Sequence, residues 1–180
     1  MVELSDRTGM EVRAASVEDA AAIALIHVRG WQWAYADIIA ADYLDELSVP
    51  AREATWASGL RNGVMPDGGS IYVADLAGKV QGWMTCGPSR DQEAVPGVGE
   101  LHGIYVDPLH IGRGVGAALL AFCVQELKRR GFDAATLWVL SENYVAREWY
   151  ERRGWLPDGT EQSFTLGEQE LAEVRYVRVL

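Results

Sequence analysis

The residues best placed to do chemistry form a glycine-rich turn past the middle of the chain. Residues 101–106 are mostly strand formers, Pro108 stops the strand, and Ile-Gly-Arg-Gly-Val-Gly then leads into an apolar helix. Such a turn presents backbone N–H groups at the positive end of a helix dipole, where phosphate oxygens bind. Gly112, Gly114 and Gly116 lack the Cβ atoms that would keep a diphosphate from the backbone. The spacing therefore predicts a phosphate site on a strand–turn–helix unit.

Two other interpretations of this turn are open at this point. The glycines could only connect a strand tightly to a helix. Gly112 and Gly114, with Ala117, also fit the G-x-G-x-x-G/A dinucleotide fingerprint. That fingerprint places its first glycine almost at the strand end, in the first βα unit of a domain. Here residues 107–111 intervene and the turn lies late in the chain, which disfavours a dinucleotide site.

A second set of candidate residues lies on a predicted helix after the next strand. Asn143, Ala146 and Tyr150 are spaced i, i+3 and i+7, so they share one helix face. The small Ala146 would let a ligand approach, Asn143 offers an amide, and Tyr150 places a phenol one turn further along. The alternative is a tyrosine that packs in the core with its hydroxyl satisfied.

Together the two segments resemble the GCN5-related N-acetyltransferase (GNAT) superfamily. Its first motif is Val-x-Pro followed by Gln/Arg-x-x-Gly-x-Gly/Ala, and this chain departs from it at one position, where Ile111 replaces Gln/Arg. Its second motif is Asn-x-x-Ala-x-x-Phe-Tyr-x-x-x-Gly-Phe. The residues of this chain at the motif positions, with Trp149 and Trp155 standing for Phe, are Val106, Pro108, Gly114, Gly116, Asn143, Ala146, Trp149, Tyr150, Gly154 and Trp155.

The resemblance implies a fold, a co-substrate and an activity. The fold class would be α/β (α+β), with a mixed, mostly antiparallel sheet of six to seven strands flanked by helices and a central parallel pair at the acyl-CoA site. Residues 1–180 would form a single N-acetyltransferase domain, with acetyl-CoA as co-substrate. The residues assigned to acetyl-CoA are Ile104, Tyr105, Val106, Ile111, Gly112, Arg113, Gly114, Val115, Gly116, Asn143 and Ala146.

The implied reaction moves an acetyl group directly to a primary amine of a small molecule or peptide. An aliphatic ammonium has a pKa of about 10.4, so a base must remove its proton at pH 7. Glu100, at the start of the central strand, is the predicted base; His102 and a water molecule are alternatives. Tyr150 would protonate the leaving thiolate or stabilise it by a hydrogen bond, and a backbone N–H of the central strand would polarise the thioester carbonyl.

The acceptor would be bound by an aromatic segment, Trp31, Trp33 and Tyr35, which could equally be core anchors. A polyamine, an aminoglycoside, an amino-acid derivative and a protein N-terminus all remain open as acceptors. A non-catalytic acyl-CoA sensor of the same fold is the alternative function.

The amino-acid composition of the chain indicates which kinds of binding partner and cellular location to expect. The net charge of −10 argues against nucleic acid, and no apolar run approaches a membrane span. The first residues lack a secretory h-region and the two cysteines have no metal-like spacing, so we expect a cytoplasmic protein. The three scattered histidines give no metal constellation. Members of the superfamily are often dimers, so a homodimer is one expectation.

The elements that must position these residues follow from hydrophobic periodicity and from the caps. We predict that a first helix ends at Gly30, before the aromatic segment, and that Pro50 opens a later helix. A hairpin should precede the central strand. The other predicted elements are a strand over residues 132–140, a helix over 141–153 and a last strand over 173–179.

Overall fold

The computed structural model describes residues 9–62, 68–91 and 93–180. The strands are β1 (Met10–Ala14), β2 (Ser70–Leu76), β3 (Lys79–Pro88), β4 (Val98–Val106), β5 (Ala134–Leu140), β6 (Leu156–Leu166) and β7 (Gln169–Val179). The helices are α1 (Ala20–Ala34), α2 (Ala41–Asp45), α3 (Val49–Arg61), α4 (Val115–Arg129) and α5 (Tyr144–Glu151). The N-terminal residues from which a cytoplasmic location was expected lie outside the described residues.

Within the described part of the chain, the strands form one seven-stranded sheet in the order β1-β2-β3-β4-β5-β7-β6. Neighbouring strands are antiparallel except β4 and β5, which are parallel. Helix α4 connects the parallel pair, as a parallel crossover requires. The predicted fold class, a mostly antiparallel mixed sheet with a central parallel pair, is confirmed.

The parallel pair diverges along its length, and this divergence creates the space for a site. Registered pairs run from Val98 opposite Ala134 to Leu101 opposite Leu137, and a cleft opens between the strands beyond them. A β-bulge lies at the start of the divergence, because His102 is an extra residue between the partners of β3. Bulges bend a strand and increase its twist, so this one helps to turn β4 away from β5.

The two faces of the sheet carry different helices. Leu101 and Met84 pack on the face covered by α4, together with Leu119 of that helix. Trp83 packs on the opposite face with Ile23 of α1. Among the described residues, no helix has both the length and the apolar character needed to cross a bilayer.

Several elements differ from the sequence-based predictions: α5 is shorter than the predicted 141–153, β7 begins before the predicted 173, and two further differences have physical reasons. Helix α1 continues past Gly30 to Ala34, so the aromatic segment begins inside the helix. Gly30 is there because of close packing, since a Cβ atom would lie 3.1 Å from Cδ1 of Tyr105. Strand β6 was not predicted because most of its residues are exposed, which leaves no regular apolar alternation to read.

Candidate active site

A large cleft of about 1360 Å³ lies between the diverging strands β4 and β5. The end of α1, the glycine turn, α5 and the β6–β7 hairpin complete its walls. The residues assigned from the sequence that line it are Trp31, Trp33, Tyr35, Glu100, Ile104, Tyr105, Val106, Ile111, Gly112, Gly114, Val115, Gly116, Asn143, Ala146 and Tyr150. Arg113 is the exception: its side chain is exposed and does not line the cleft.

The glycine turn has the backbone conformation expected of an anion site. Gly112 and Gly114 have φ angles of +79° and +87°, a left-handed region that other residues adopt at a cost. Gly114 is the N-cap of α4, and the first intrahelical bond runs from the Ala118 N–H to its carbonyl, 3.0 Å away. The N–H groups of the first turn are therefore available at the positive end of the helix dipole. The turn can bind a diphosphate without a cationic side chain.

Gly116 differs from the other two glycines because close packing, not φ, requires it. A Cβ atom there would lie 3.3 Å from the indole of Trp149 on α5. The guanidinium of Arg153 stacks on that indole at 4.2 Å from the ring centroid and also lines the cleft. Helices α4 and α5 thus meet closely beside the turn, and Arg153 adds a positive charge that was not predicted.

Helix α5 presents the predicted face of Asn143, Ala146 and Tyr150 to the cleft. The side-chain oxygen of Asn143 caps the helix by accepting from the Ala146 N–H at 3.1 Å, so its amide NH₂ takes no part in the cap. Tyr150 is 8% exposed. Burial, followed by the nearby Tyr105 and Cys123, raises the pKa of the Tyr150 phenol, which keeps its proton at neutral pH.

Glu100 is fully buried on β4 and is held by Arg90 of the preceding loop. One carboxylate oxygen accepts from the Arg90 backbone N–H at 2.7 Å, and the other accepts from the guanidinium Nε at 2.9 Å. This pair fixes the loop that leads into the central strand. No observation tests the role of Glu100 as base, which stays a prediction. His102 lies beside it at the bulge, with Nε2 at 3.0 Å from the Pro88 carbonyl.

The three aromatic residues predicted to bind the acceptor, Trp31, Trp33 and Tyr35, all line the cleft. Tyr35 and Tyr105 join α1 to β4 through a hydroxyl–hydroxyl hydrogen bond of 3.0 Å, and burial raises the pKa of both phenols. Trp31 packs edge-on against Tyr35. Trp33 is 54% exposed at the rim, which suits a ligand contact better than a core position.

A smaller aromatic cavity of about 220 Å³ adjoins this wall on the α3 side. His27 lies in it against Trp31, Trp56, Trp83 and Tyr105, with its Nδ1 accepting from the Trp56 indole at 3.3 Å. Burial, with a smaller contribution from the Arg52 charge, lowers the pKa of His27 to about 4. His27 is therefore a neutral hydrogen-bond acceptor in the aromatic packing.

A set of polar cleft residues from the loop before β4 and from β5, β6 and β7 was missed from the sequence. They are Asp91, Trp138, Gln162, Glu173 and Arg175, and all of them line the cleft. Asp91 accepts from the Trp138 indole at 2.8 Å and from Arg175 at 2.8 Å, which neutralises two of these charges. The alternation of β7 could have indicated that Glu173 and Arg175 share a face, but that face was expected to meet solvent.

Comparisons with known proteins agree with this arrangement. The model of the acetyltransferase (GNAT) family matches residues 28–155. The uncharacterised N-acetyltransferase YuaI of Bacillus subtilis strain 168 is 37% identical over 133 residues, which is 73% of this chain and 72% of that relative.

Solved structures of the same fold have bound ligands. The PaiA N-acetyltransferase of Thermoplasma acidophilum, in complex with coenzyme A, has a TM-score of 0.70 at 18% identity and covers 95% of this chain and 99% of its own. YncA of Salmonella typhimurium, with its cofactor acetyl-CoA, has a TM-score of 0.66 at 20% identity and covers 95% and 94%. These identities establish likeness of fold alone, whereas the family model spans both predicted motifs. The chain belongs to the acetyltransferase (GNAT) family.

Proposed function

We propose that this protein is an acetyl-CoA-dependent N-acetyltransferase that moves the acetyl group directly to a primary amine of a small molecule or peptide. The observation that carries the proposal is that one cleft joins the left-handed glycine turn at the start of α4 to the buried phenol of Tyr150. One bound acetyl-CoA could therefore contact both the diphosphate-binding turn and the hydrogen-bond donor for its leaving group.

Acetyl-CoA would enter between β4 and β5, which have separated at this point. Its diphosphate would lie on the N–H groups of Gly112, Gly114 and Gly116, and the helix dipole offsets the unfavourable net charge of −10. Ile111 would contribute only its backbone there. The pantetheine would run along Ile104 to Val106 like an added strand, because these β4 residues have lost β5 as a partner. The amide of Asn143 and the small Ala146 would face it from α5.

The leaving thiolate would be stabilised by Tyr150 as a hydrogen-bond donor. A free thiol has a pKa of about 8.5, and that of a phenol is about 10 before burial. Burial raises the pKa of Tyr150 further, so complete transfer of its proton to the thiolate is unfavourable. A short hydrogen bond that strengthens as charge develops on sulfur still lowers the barrier. A backbone N–H of the central strand would polarise the carbonyl in the same step.

The part of the cleft lined by α1, the loop before β4 and β7, here called the acceptor half, would receive a cationic amine. Glu93, Glu161 and Glu173 line the cleft alongside the acids already paired with arginines. Carboxylates around a cleft attract a positively charged substrate. Trp31, Trp33 and Tyr35 would supply the apolar wall that holds the body of the acceptor. The alternative function, an acyl-CoA sensor, would use the same cofactor half without turnover.

The test combines calorimetry with an acceptor screen. Acetyl-CoA is titrated into the protein, and spermidine, an aminoglycoside, free amino acids and a peptide with a free N-terminus are then offered with thiol detection of released CoA. We expect acetyl-CoA binding and CoA release with at least one amine. Binding without release would favour the sensor, and the absence of binding would contradict both functions.

A cytoplasmic location, a homodimer and a single domain over residues 1–180 also remain proposals. The exposed edge strand β6 is the feature that a second copy could cover. Sedimentation velocity at micromolar concentration distinguishes a monomer from a dimer.

A further inference from the structure

The proposed function leaves one proton unaccounted for, and the inference below rests on that function. An acceptor ammonium must lose a proton before its nitrogen can attack the thioester. Glu100, the predicted base, has no exposed surface, and both of its oxygens accept hydrogen bonds from Arg90. Both oxygens are therefore occupied, and an ammonium could reach them only if Arg90 moved away.

Glu173 is another carboxylate that lines the cleft. It lies on β7 directly opposite Leu140, the last residue of β5, where β5 has left β4 and the cleft is open. It lines the same cleft as Tyr35, Tyr105 and Tyr150. It is half-buried, so its side chain is partly screened from solvent.

The contacts of Glu173 leave part of its carboxylate open to a substrate. One oxygen accepts from the Gln162 amide on β6 at 2.9 Å. Gln162 lies opposite Glu173 in the β6–β7 register, so the side chain is held on the cleft face of the sheet. Unlike Glu100 and Asp91, Glu173 forms no ion pair within 4.0 Å in the described part of the chain.

The surroundings of Glu173, including the nearby charged groups, favour its carboxylate as a proton acceptor. Burial raises the pKa of its carboxyl above 4.5, and the Glu100 charge acts in the same direction, whereas Gln162 and Arg90 act against it. The Glu173 charge in turn opposes ionisation of Tyr35 and Tyr105 on the facing wall. A carboxylate with a raised pKa, in contact with the cleft, suits general-base catalysis better than one neutralised by a guanidinium.

We propose that Glu173 is a catalytic residue that accepts the proton of the acceptor ammonium. The ammonium gives one proton to the Glu173 carboxylate, and the neutral nitrogen forms a C–N bond to the thioester carbonyl. The C–S bond then breaks as the carbonyl re-forms, and CoA leaves as a thiolate held by Tyr150. The second nitrogen proton neutralises that thiolate through solvent, and Glu173 releases its own proton to water. The products are an amide, CoA thiol and one proton.

The experiment compares Glu173→Gln with two matched variants, Glu100→Gln and Glu170→Gln. Glutamine at 173 keeps an oxygen to accept from Gln162, so the strand pairing is preserved. Glu170 is an exposed β7 residue outside the cleft and controls for the substitution itself. Acetyl-CoA affinity is measured by calorimetry. The acceptor is the amine that the wild type acetylates fastest among spermidine, an aminoglycoside and a peptide with an N-terminal alanine. With that acceptor, kcat/KM is measured from pH 5 to 9.

We expect Glu173→Gln to lower kcat/KM about 10²–10⁴-fold with unchanged acetyl-CoA affinity. The wild-type profile should have an acid limb, where Glu173 gains a proton, followed by a plateau at higher pH. Glu173→Gln should lack this limb and its plateau, because its activity should rise over the whole pH range as the free amine accumulates. Glu170→Gln should match the wild type.

Three outcomes overturn the inference, and they separate it from the proposed function. An active wild type with an equally active Glu173→Gln excludes Glu173 and leaves the function standing. Loss of the acid limb in Glu100→Gln, with that limb intact in Glu173→Gln, assigns the base to Glu100. A wild type that binds acetyl-CoA and acetylates none of the three amines contradicts the proposed function, and the role of Glu173 with it.

Discussion

The two halves of the cleft are built in different ways. The cofactor half, around Gly112, Gly114 and α4, uses backbone N–H groups and a helix dipole, and its pieces are contiguous in the chain. The acceptor half uses side chains from α1, the loop before β4, and β7, which meet only in the folded protein. In the first half, chain conformation supplies the ligand groups; in the second, long-range packing does.

The difference determines how each half can vary. Backbone groups are the same whatever the side chains, so a diphosphate site persists as long as glycines permit its conformation. The proposed acceptor site, with Tyr35, Arg90 and Glu173 in its walls, would change with any one of three distant substitutions. A family that keeps one co-substrate and changes acceptors would be expected to divide its cleft in this manner. The predictions below test that division, beginning with the residue where the halves meet.

Tyr150 lies at the junction of the two halves, and its substitution should have the largest effect. Removing its hydroxyl in Tyr150→Phe should lower turnover at saturating acetyl-CoA about 10²–10⁴-fold, because the thiolate loses its positioned donor. Acetyl-CoA affinity should change little. Tyr144→Phe is the matched control, since Tyr144 is on the same helix and 69% exposed. Undiminished turnover in Tyr150→Phe would remove this residue from the chemistry.

The same division explains what the sequence could predict. Short sequence spacings were enough to single out Gly112, Gly114, Asn143 and Ala146. The motifs and the local helix caps were enough to predict the fold class. Glu173 could not be identified, because its role depends on the divergence of β5 from β4, a property of the whole sheet.

Arg90 shows a related limit. Its pairing with Glu100 spans a loop whose course no local rule fixes. Gly30 was mistaken for a helix end because packing against Tyr105 and helix capping both select glycine.

The cofactor half should lose affinity for acetyl-CoA when a substitution disfavours the backbone conformation of the glycine turn. Gly114→Val places a branched side chain at φ +87°, in the open space where a diphosphate would lie. We expect acetyl-CoA affinity to fall about 100-fold, from backbone strain of about 1–3 kcal/mol together with the steric block. Gly131→Val is a close control, because Gly131 has φ +86° at the other end of the same helix. Both variants should lose stability, and calorimetry should find a loss of affinity in Gly114→Val alone.

The aromatic cavity behind the acceptor half should make stability depend on pH. The folded pKa of His27 is about 4, below an ordinary value of 6.5, so the unfolded chain binds the proton more readily. Stability is therefore fully present above pH 6.5 and is lost as the pH falls toward 4. Between pH 7 and pH 5 the loss from this residue should be about 2 kcal/mol.

Urea unfolding of the wild type and of His27→Gln at both pH values measures this contribution. Glutamine can still accept from the Trp56 indole but does not titrate. The variant should be less sensitive to the change in pH than the wild type, while the other histidines act equally in both proteins. Equal pH sensitivity in the two proteins would mean that His27 is readily protonated in the folded state.

The smallest expected effect is that of truncating Trp33, a test of whether this exposed side chain contacts the acceptor. Trp33 is 54% exposed at the rim of the cleft, so Trp33→Ala removes a ligand contact while costing the core little. The acceptor KM should rise about fivefold, corresponding to about 1 kcal/mol for one truncated contact. Acetyl-CoA affinity should stay the same, because the cofactor half does not involve α1. Leu25→Ala, an exposed apolar residue on the same helix away from the cleft, should change neither quantity. A shift in acetyl-CoA affinity of the same size in Trp33→Ala would mean that the two halves are not independent.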